Sequence, residues 1–192
     1  IYDSESHGTI RTDVSAGGLV LSIKNATIAR SISTMDILVR NPDFSGGAVG
    51  GIARAANSNS TIRKSIATGR VEGEAGSSSN AGGLVGEADF GARIEASYAS
   101  GPVSGAENVG GLVGSIRNEA KVVRSYSSGD ISNGENIGGV VGTNGSDITE
   151  SYWDTEASGQ SSGVGRGDAT GTTGLTTSEM QGNSAEENMD GF

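Results

Sequence analysis

The chain has 192 residues, of which 33% are apolar and 33 are glycine, and it carries a net charge of −10 with no cysteine. That length suffices for one domain with a thin core, and the missing cysteines exclude a disulfide framework, a thiolate metal site and a cysteine nucleophile. Lys and Arg scattered singly through an acidic chain exclude general nucleic-acid binding, and no apolar run reaches the roughly 18 residues of a membrane-spanning helix.

From the beginning, Ile1 is not an initiator methionine and no secretory leader follows it, so the sequence is expected to be cut from a longer precursor. Gly8-Thr9-Ile10 starts a series of Gly-x-(Ile/Val) signals. A degenerate Met35-Asp36-Ile37 continues it, then Gly69-Arg70-Val71, Gly101-Pro102-Val103 and Gly129-Asp130-Ile131. A Gly pair opens each unit at Gly17-Gly18, Gly50-Gly51, Gly82-Gly83, Gly110-Gly111 and Gly138-Gly139, at intervals of 33, 32, 28 and 28 residues. A third signal places one serine in every unit: Ser31, Ser65, Ser97, Ser125 and Ser151. The distance from the Gly pair to this serine stays at 13 to 15 residues. The surplus of the longer units therefore falls in one arc, around Asn41-Pro42-Asp43-Phe44 and Glu74 to Ser79. Insertions confined to one arc are what a stack of coils permits.

Each unit offers three short β-prone runs divided by Gly, Ser and Asn, and none has the apolar spacing of a helix longer than about two turns. One such coil cannot bury its own apolar face. Stacked coils can, by aligning Leu19, Ile52, Leu84, Leu112 and Val140 in one ladder and the Ile/Val and Ser positions in others. The expected fold is all-β, a right-handed parallel β-helix (β-solenoid) of about five coils of 28–33 residues. Three strands per coil and a growth of about 4.8 Å per coil follow from strand spacing. After Tyr152 the rhythm stops. Residues 1–153 are expected to form the solenoid, and 154–192, a Gly/Ser/Thr-rich tail next to the single tryptophan Trp153, a partial C-terminal cap over its open edge.

At these residues the sequence resembles the GLUG-repeat family of bacterial and archaeal surface proteins. The family motif runs roughly G-G-L-V-G, then a strand ending S-Y-A/S-x-G, then V/I-x-G. The likeness covers about Gly8 to Trp153 and is strongest from Ala81 onward, with "SYWDTEASGQSSG" similar to the tail that closes such arrays. Leu21 and Arg54 depart from the pattern by replacing the last Gly of the first two units. The resemblance implies an extracellular, often adhesin-like β-helix that is one section of a longer chain; it specifies architecture and leaves the partner open.

Candidate chemistry is sparse. His7 is the single histidine, and with no GxSxG elbow to partner it an exposed turn residue is expected. Asp130, Glu135, Asp147, Glu150, Asp154 and Glu156 crowd the last units but do not occupy matching strand positions, as a carboxylate pair for acid/base work would. "NGSDITESYWDTE" offers Asp147, Asp154 and Glu156 as ligands for a structural Ca²⁺, without an EF-hand or β-roll repeat around them. Gly163-Val164-Gly165-Arg166-Gly167 lacks the Lys-Ser/Thr of a phosphate loop and reads as a flexible loop. Ice binding needs a regular threonine array, but Thr9, Thr27 and Thr61 are read as holding no shared register, and the matching positions Arg93 and Lys121 are charged. Tyr98, Tyr126 and Tyr152 recur once per coil. A core or edge ladder is favoured over an outward, sugar-stacking one, although strand parity alone leaves the side open.

The function expected is that of a non-enzymatic structural or adhesive section of a secreted, cell-surface protein, a stiff stalk or adhesin module. Its partners would be a surface carbohydrate or protein receptor, or copies of itself end to end, with no nucleic acid and no membrane insertion in this segment. A self-assembling filament or sheath subunit is the alternative, and a carbohydrate-active β-helix enzyme a further one.

Overall fold

A computed structural model describes residues 1–41, 46–73 and 79–189. Three sheets run along the molecule, and the strand pairings among the described residues are parallel from one coil to the next. In the first sheet Val20–Lys24, Ala53–Asn57, Val85–Ala88, Val113–Ile116, Val141–Asn144 and Val164–Gly167 stack in chain order. In the second, Thr27–Ala29, Thr61–Arg63, Arg93–Glu95, Lys121–Val123 and Asp147–Thr149 do the same. This is the parallel β-solenoid that the repeat predicts.

The third sheet is larger, with 13 strands, and the insertions explain why. In a longer coil the chain forms two separate pieces, Val71–Glu72 and Asn80–Gly82. In the 28-residue coils it runs straight through both positions as Val103–Gly110 and Ile131–Gly138, which fuses two ladders into one sheet. Three strands per coil is therefore too few. One coil is built of Asn80–Gly82, Val85–Ala88, Arg93–Glu95, Tyr98–Ala99 and the start of Val103–Gly110. Most of the two inserted arcs lies outside the described residues.

The apolar ladders form as expected. Backbone N–H groups of Leu19, Ile52, Leu84 and Leu112 each donate to the carbonyl of the equivalent residue one coil on, and Ile52, Leu84, Leu112 and Val140 are fully buried. Ile28, Ile62, Ile94, Val122 and Ile148 share one register. So do Ile10, Ile37, Val71, Val103 and Ile131, which confirms Gly8-Thr9-Ile10 and Met35-Asp36-Ile37 as copies of the third signal.

Glycine at the second position of each pair is required by close approach. A Cβ at Gly83 would lie 2.6 Å from the Ala99 Cβ, and at Gly111 2.5 Å from the Ser127 hydroxyl. The coil is that thin because small residues, Ser33, Ala67, Ala99 and Ser127, face inward across from the glycines. At the next position of this row stands Trp153. Its ring lies where a Cβ on Gly139, Gly163 or Gly174 would sit, at 2.3, 2.8 and 2.7 Å, and its indole N–H donates to the Gln160 carbonyl at 2.9 Å.

Parallel pairing does not end at Trp153. Val164 continues the register of Val141 in the first sheet, and Thr172–Leu175 pairs with Ser151–Asp154 in the third. The segment Gly163 to Gly167, read from sequence as a flexible loop, is thus mostly a β-strand. Its glycines are no loop signal but positions packed against the Trp153 ring and the preceding coil's backbone. The boundary at residue 153 marks a change of sequence, and an abbreviated further coil follows it. Two short helices, Thr155–Ser158 and Gly182–Asn188, complete this end.

Candidate functional surfaces

The repeated serine is a buried clamp on a strained corner. Just before it stand Asp3, Arg30, Lys64, Ala96, Arg124 and Glu150, all left-handed, with φ between 44° and 52°. Residues with a Cβ avoid this region at about 1–2 kcal/mol each, so the corner must be held. Each hydroxyl, from Ser31, Ser65, Ser97, Ser125 and Ser151, donates to the carbonyl two residues back across the corner. The hydroxyls of Ser31, Ser65, Ser97 and Ser125 also accept the backbone N–H of the serine one coil earlier, at 3.1–3.3 Å. Ser4 is the first serine in this series, although Tyr2-Asp3-Ser4 is too divergent to recognise from sequence.

An asparagine ladder, which the sequence reading passed over, runs beside the Gly pairs. Asn136 donates to Asn108 at 2.8 Å, Asn108 to Asn80 at 2.9 Å, and Asn80 to the Glu87 carboxylate at 2.8 Å. The ladder stops there because Ala48 occupies the next register position. The signal was present as Asn two residues before three successive Gly pairs. Along it lies a polar groove of about 350 Å³ lined by Glu87, Asn108, Ser115, Thr143 and Arg166 among others.

Of the tyrosine series, expected as a core or edge ladder, Tyr98 and Tyr126 face outward half-buried and Tyr152 is buried. Tyr98 and Tyr126 sit between the buried serine and the buried Ala99 or Ser127, and strand alternation turns them to the surface. Their rings stack at 4.9 Å and 7°, so each covers a face of the other. Burial, with the neighbouring Tyr98 as a lesser cause, raises the Tyr126 pKa. Tyr152 is itself buried, paired with Thr173 of the added strand.

The three residues read as calcium ligands are occupied separately. Asp154 is the N-cap of Thr155–Ser158: one carboxylate oxygen accepts N–H from Glu156 and Ala157, and the other accepts the Thr177 hydroxyl. Glu156 accepts the Thr177 backbone N–H, whereas Asp147 pairs with Lys121 at 3.2 Å on the second sheet. Among the described residues no three acidic or histidine side chains form a metal-binding group. His7 is exposed and bonds Thr34 and Glu5. Thr27 and Thr61 do share a register, a detail the sequence reading denied, but Arg93 and Lys121 end that row after two residues.

Charge is paired across coils at the corners. Glu95 takes hydrogen bonds from Arg93 and from Arg124 one coil on. The Arg93 bond is the largest cause holding its pKa down to about 2; partial burial opposes it and Arg124 reinforces it. Asp3 and Arg30 repeat the arrangement at the N-terminal end, fully exposed.

Residues 77–104 match the family model described as the GLUG motif. The matched segment spans most of one coil, and the register carries its Gly pair, serine and Gly-x-Val positions into the coils on either side. The molecule is therefore a parallel β-solenoid in which one coil matches the GLUG motif and its neighbours repeat that coil's register. A search of curated proteins returns no match.

Proposed function

We propose that the chain is a non-enzymatic structural and adhesive section of a larger extracellular surface protein, a stiff stalk or adhesin module that meets a surface carbohydrate or protein receptor. The observation carrying this reading is the serine clamp. The same buried hydrogen bond links coil to coil from Ser4 to Ser125, beside continuous apolar and asparagine ladders. Such a construction supplies length and stiffness, since each coil contacts its neighbours alone and every added coil repeats the same interface. The acidic composition, with a net charge of −10, suits an exterior location. Of the acidic side chains that crowd the last units, Asp147 is held in an ion pair, Asp154 caps a helix and Glu156 accepts the Thr177 N–H.

End-to-end assembly is the second reading, favoured by apolar surface on the first coil described, where Val14 and Leu21 are 64% and 60% exposed. Size exclusion with light scattering and electron microscopy over micromolar concentrations, with and without Ca²⁺, tests both. Monomeric rods are expected for a stalk and concentration-dependent fibres for an assembling subunit. Release of reducing sugar or unsaturated product from a polysaccharide panel would overturn the non-enzymatic reading.

A further inference from the structure

One exposed residue departs from what its position favours. Four-residue turns, Asn57–Ser60, Asp89–Ala92 and Arg117–Ala120, lead from the first sheet to the second, each closed by a hydrogen bond from its last N–H to its first carbonyl. Their central pairs, Ser58-Asn59, Phe90-Gly91 and Asn118-Glu119, have positive φ at both residues, 49° and 58°, 49° and 73°, 46° and 65°. This is the type I′ turn, which favours Asn, Asp and Gly. Phe90 satisfies no such preference, and its ring is 60% exposed, so it gains little from burial. A bulky residue in this conformation on the surface is the kind of outlier from which function is inferred.

The backbone under the ring is fixed on every side. The Phe90 N–H donates to Asp89 Oδ1 at 2.8 Å and the Phe90 carbonyl accepts the Asn59 N–H at 2.9 Å. The Gly91 N–H donates to the Asn118 carbonyl at 2.9 Å. Asp89 is itself buried and holds the Asn118 amide and Arg117 at 2.7 and 3.2 Å. Phe90, Gly91, Asn59, Asn118 and Glu119 line a shallow depression of about 490 Å³.

We propose that this turn stack is a carbohydrate-binding subsite for a neutral pyranose, with Phe90 as its stacking platform and the Asn59 and Asn118 amides and Glu119 carboxylate meeting the ring hydroxyls. A pyranose presents an apolar C–H face and a rim of groups that both donate and accept hydrogen bonds, which matches one aromatic plate set among polar side chains. A nucleic-acid base could stack on the same ring, but its phosphates would meet Glu119 on a chain of charge −10. A protein partner would call for a wider apolar area than a single phenyl. The platform is pre-organised by the stacked turns, which lowers the ordering cost of a weak ligand. The inference rests on the adhesive reading and names its ligand class.

The test uses the whole chain with soluble cello-, xylo-, manno- and chito-oligosaccharides, read by saturation-transfer NMR and calorimetry. At least one is expected to bind with its ring C–H protons most strongly saturated. Phe90→Asn should weaken that binding about tenfold or more. It should leave the melting temperature unchanged or raised, because Asn118 fills the same turn position one coil on, and Phe90→Trp should retain binding. No binding across the panel, or undiminished binding by Phe90→Asn, would overturn the subsite. Either result leaves the stalk reading to stand or fall on particle shape.

Discussion

The first and the last coils described are built from the same repeat and pack their cores differently. At the C-terminal end a single size change closes the core. The inward row of Ser33, Ala67, Ala99 and Ser127 gives way to Trp153, whose indole is 6% exposed and lies among Gly139, Gly163 and Gly174. In the first coil described no such change occurs: Leu19 and Val20 are only partly buried, and Val14, Leu21, Ile1 and Tyr2 stand exposed. Closure is therefore a property of one repeat position and its glycine neighbours. The helix Gly182–Asn188 is secondary to it, since none of its described residues is buried.

Trp153→Ala should break this contrast most severely. Removing a buried indole leaves a cavity between glycines that cannot collapse onto side chains, and a loss of about 3–5 kcal/mol is expected in denaturant unfolding. Leu21→Ala in the first coil should change stability by less than about 0.5 kcal/mol, as exposed positions do. Comparable losses at the two positions would mean that the C-terminal end is no better closed than the other.

The serine clamp separates interior from end in the same way. In Ser97→Ala the buried Ser65 N–H loses its acceptor and the corner at Ala96 loses its bond to Glu95, for which about 1–3 kcal/mol is expected. Ser4 makes the same bond to its own corner but accepts no bond from an earlier serine in the structure described, and it is half-buried. Ser4→Ala should cost less than about 0.5 kcal/mol. Hydrogen exchange should slow from the Ser4 corner toward Ser97 in the parent chain, and a flat profile would argue against a cooperative ladder.

Most of this architecture was legible because stacking makes identity visible: the Gly pair, the serine and the Gly-x-Val signal predict the register directly. What was not legible has physical causes. The further coil after Trp153 escaped because Ser162-Gly163-Val164-Gly165 has shed the Leu/Val of its Gly-pair motif to make room for the indole. The outward tyrosines escaped because the left-handed corner before the serine resets strand parity. The calcium reading failed on local chemistry, since Asp154 within "YWDTEAS" is a helix N-cap whose oxygens are filled by backbone N–H and Thr177. The asparagine ladder and the turn stack lie at fixed offsets from the Gly pairs, but polar residues at repeated positions do not by themselves say whether their side chains meet across coils.

Ser60 sharpens the comparison between early and later coils. Its hydroxyl is buried without a hydrogen-bond partner, whereas the last residue of the same turn is Ala92 and then Ala120 in the next two coils. An unsatisfied buried hydroxyl is unfavourable, so Ser60→Ala should raise stability by up to about 1 kcal/mol. A loss instead would mean that the hydroxyl has a bonding partner after all.

Acid should act more on the interior coils than on the first coil described. The Glu95 pKa in the fold, about 2, lies below its ordinary 4.5, so the ionised carboxylate stabilises the fold. That contribution is fully present above the unfolded value and is lost as pH falls from 4.5 toward 2. Glu95 is 22% exposed and its pair with Arg124 is partly screened, which holds the effect to less than about 1 kcal/mol at neutral pH. Glu95→Gln should therefore lower the melting temperature slightly at pH 7 and flatten its decline over that acid window. Asp3→Asn, which breaks the same kind of cross-coil pair where both groups are fully exposed, should flatten it less, and 1 M salt should shrink the difference. If the two variants had equal acid limbs, burial within the stack would add nothing to these pairs. The corners would then be held by the serine hydroxyls and backbone alone.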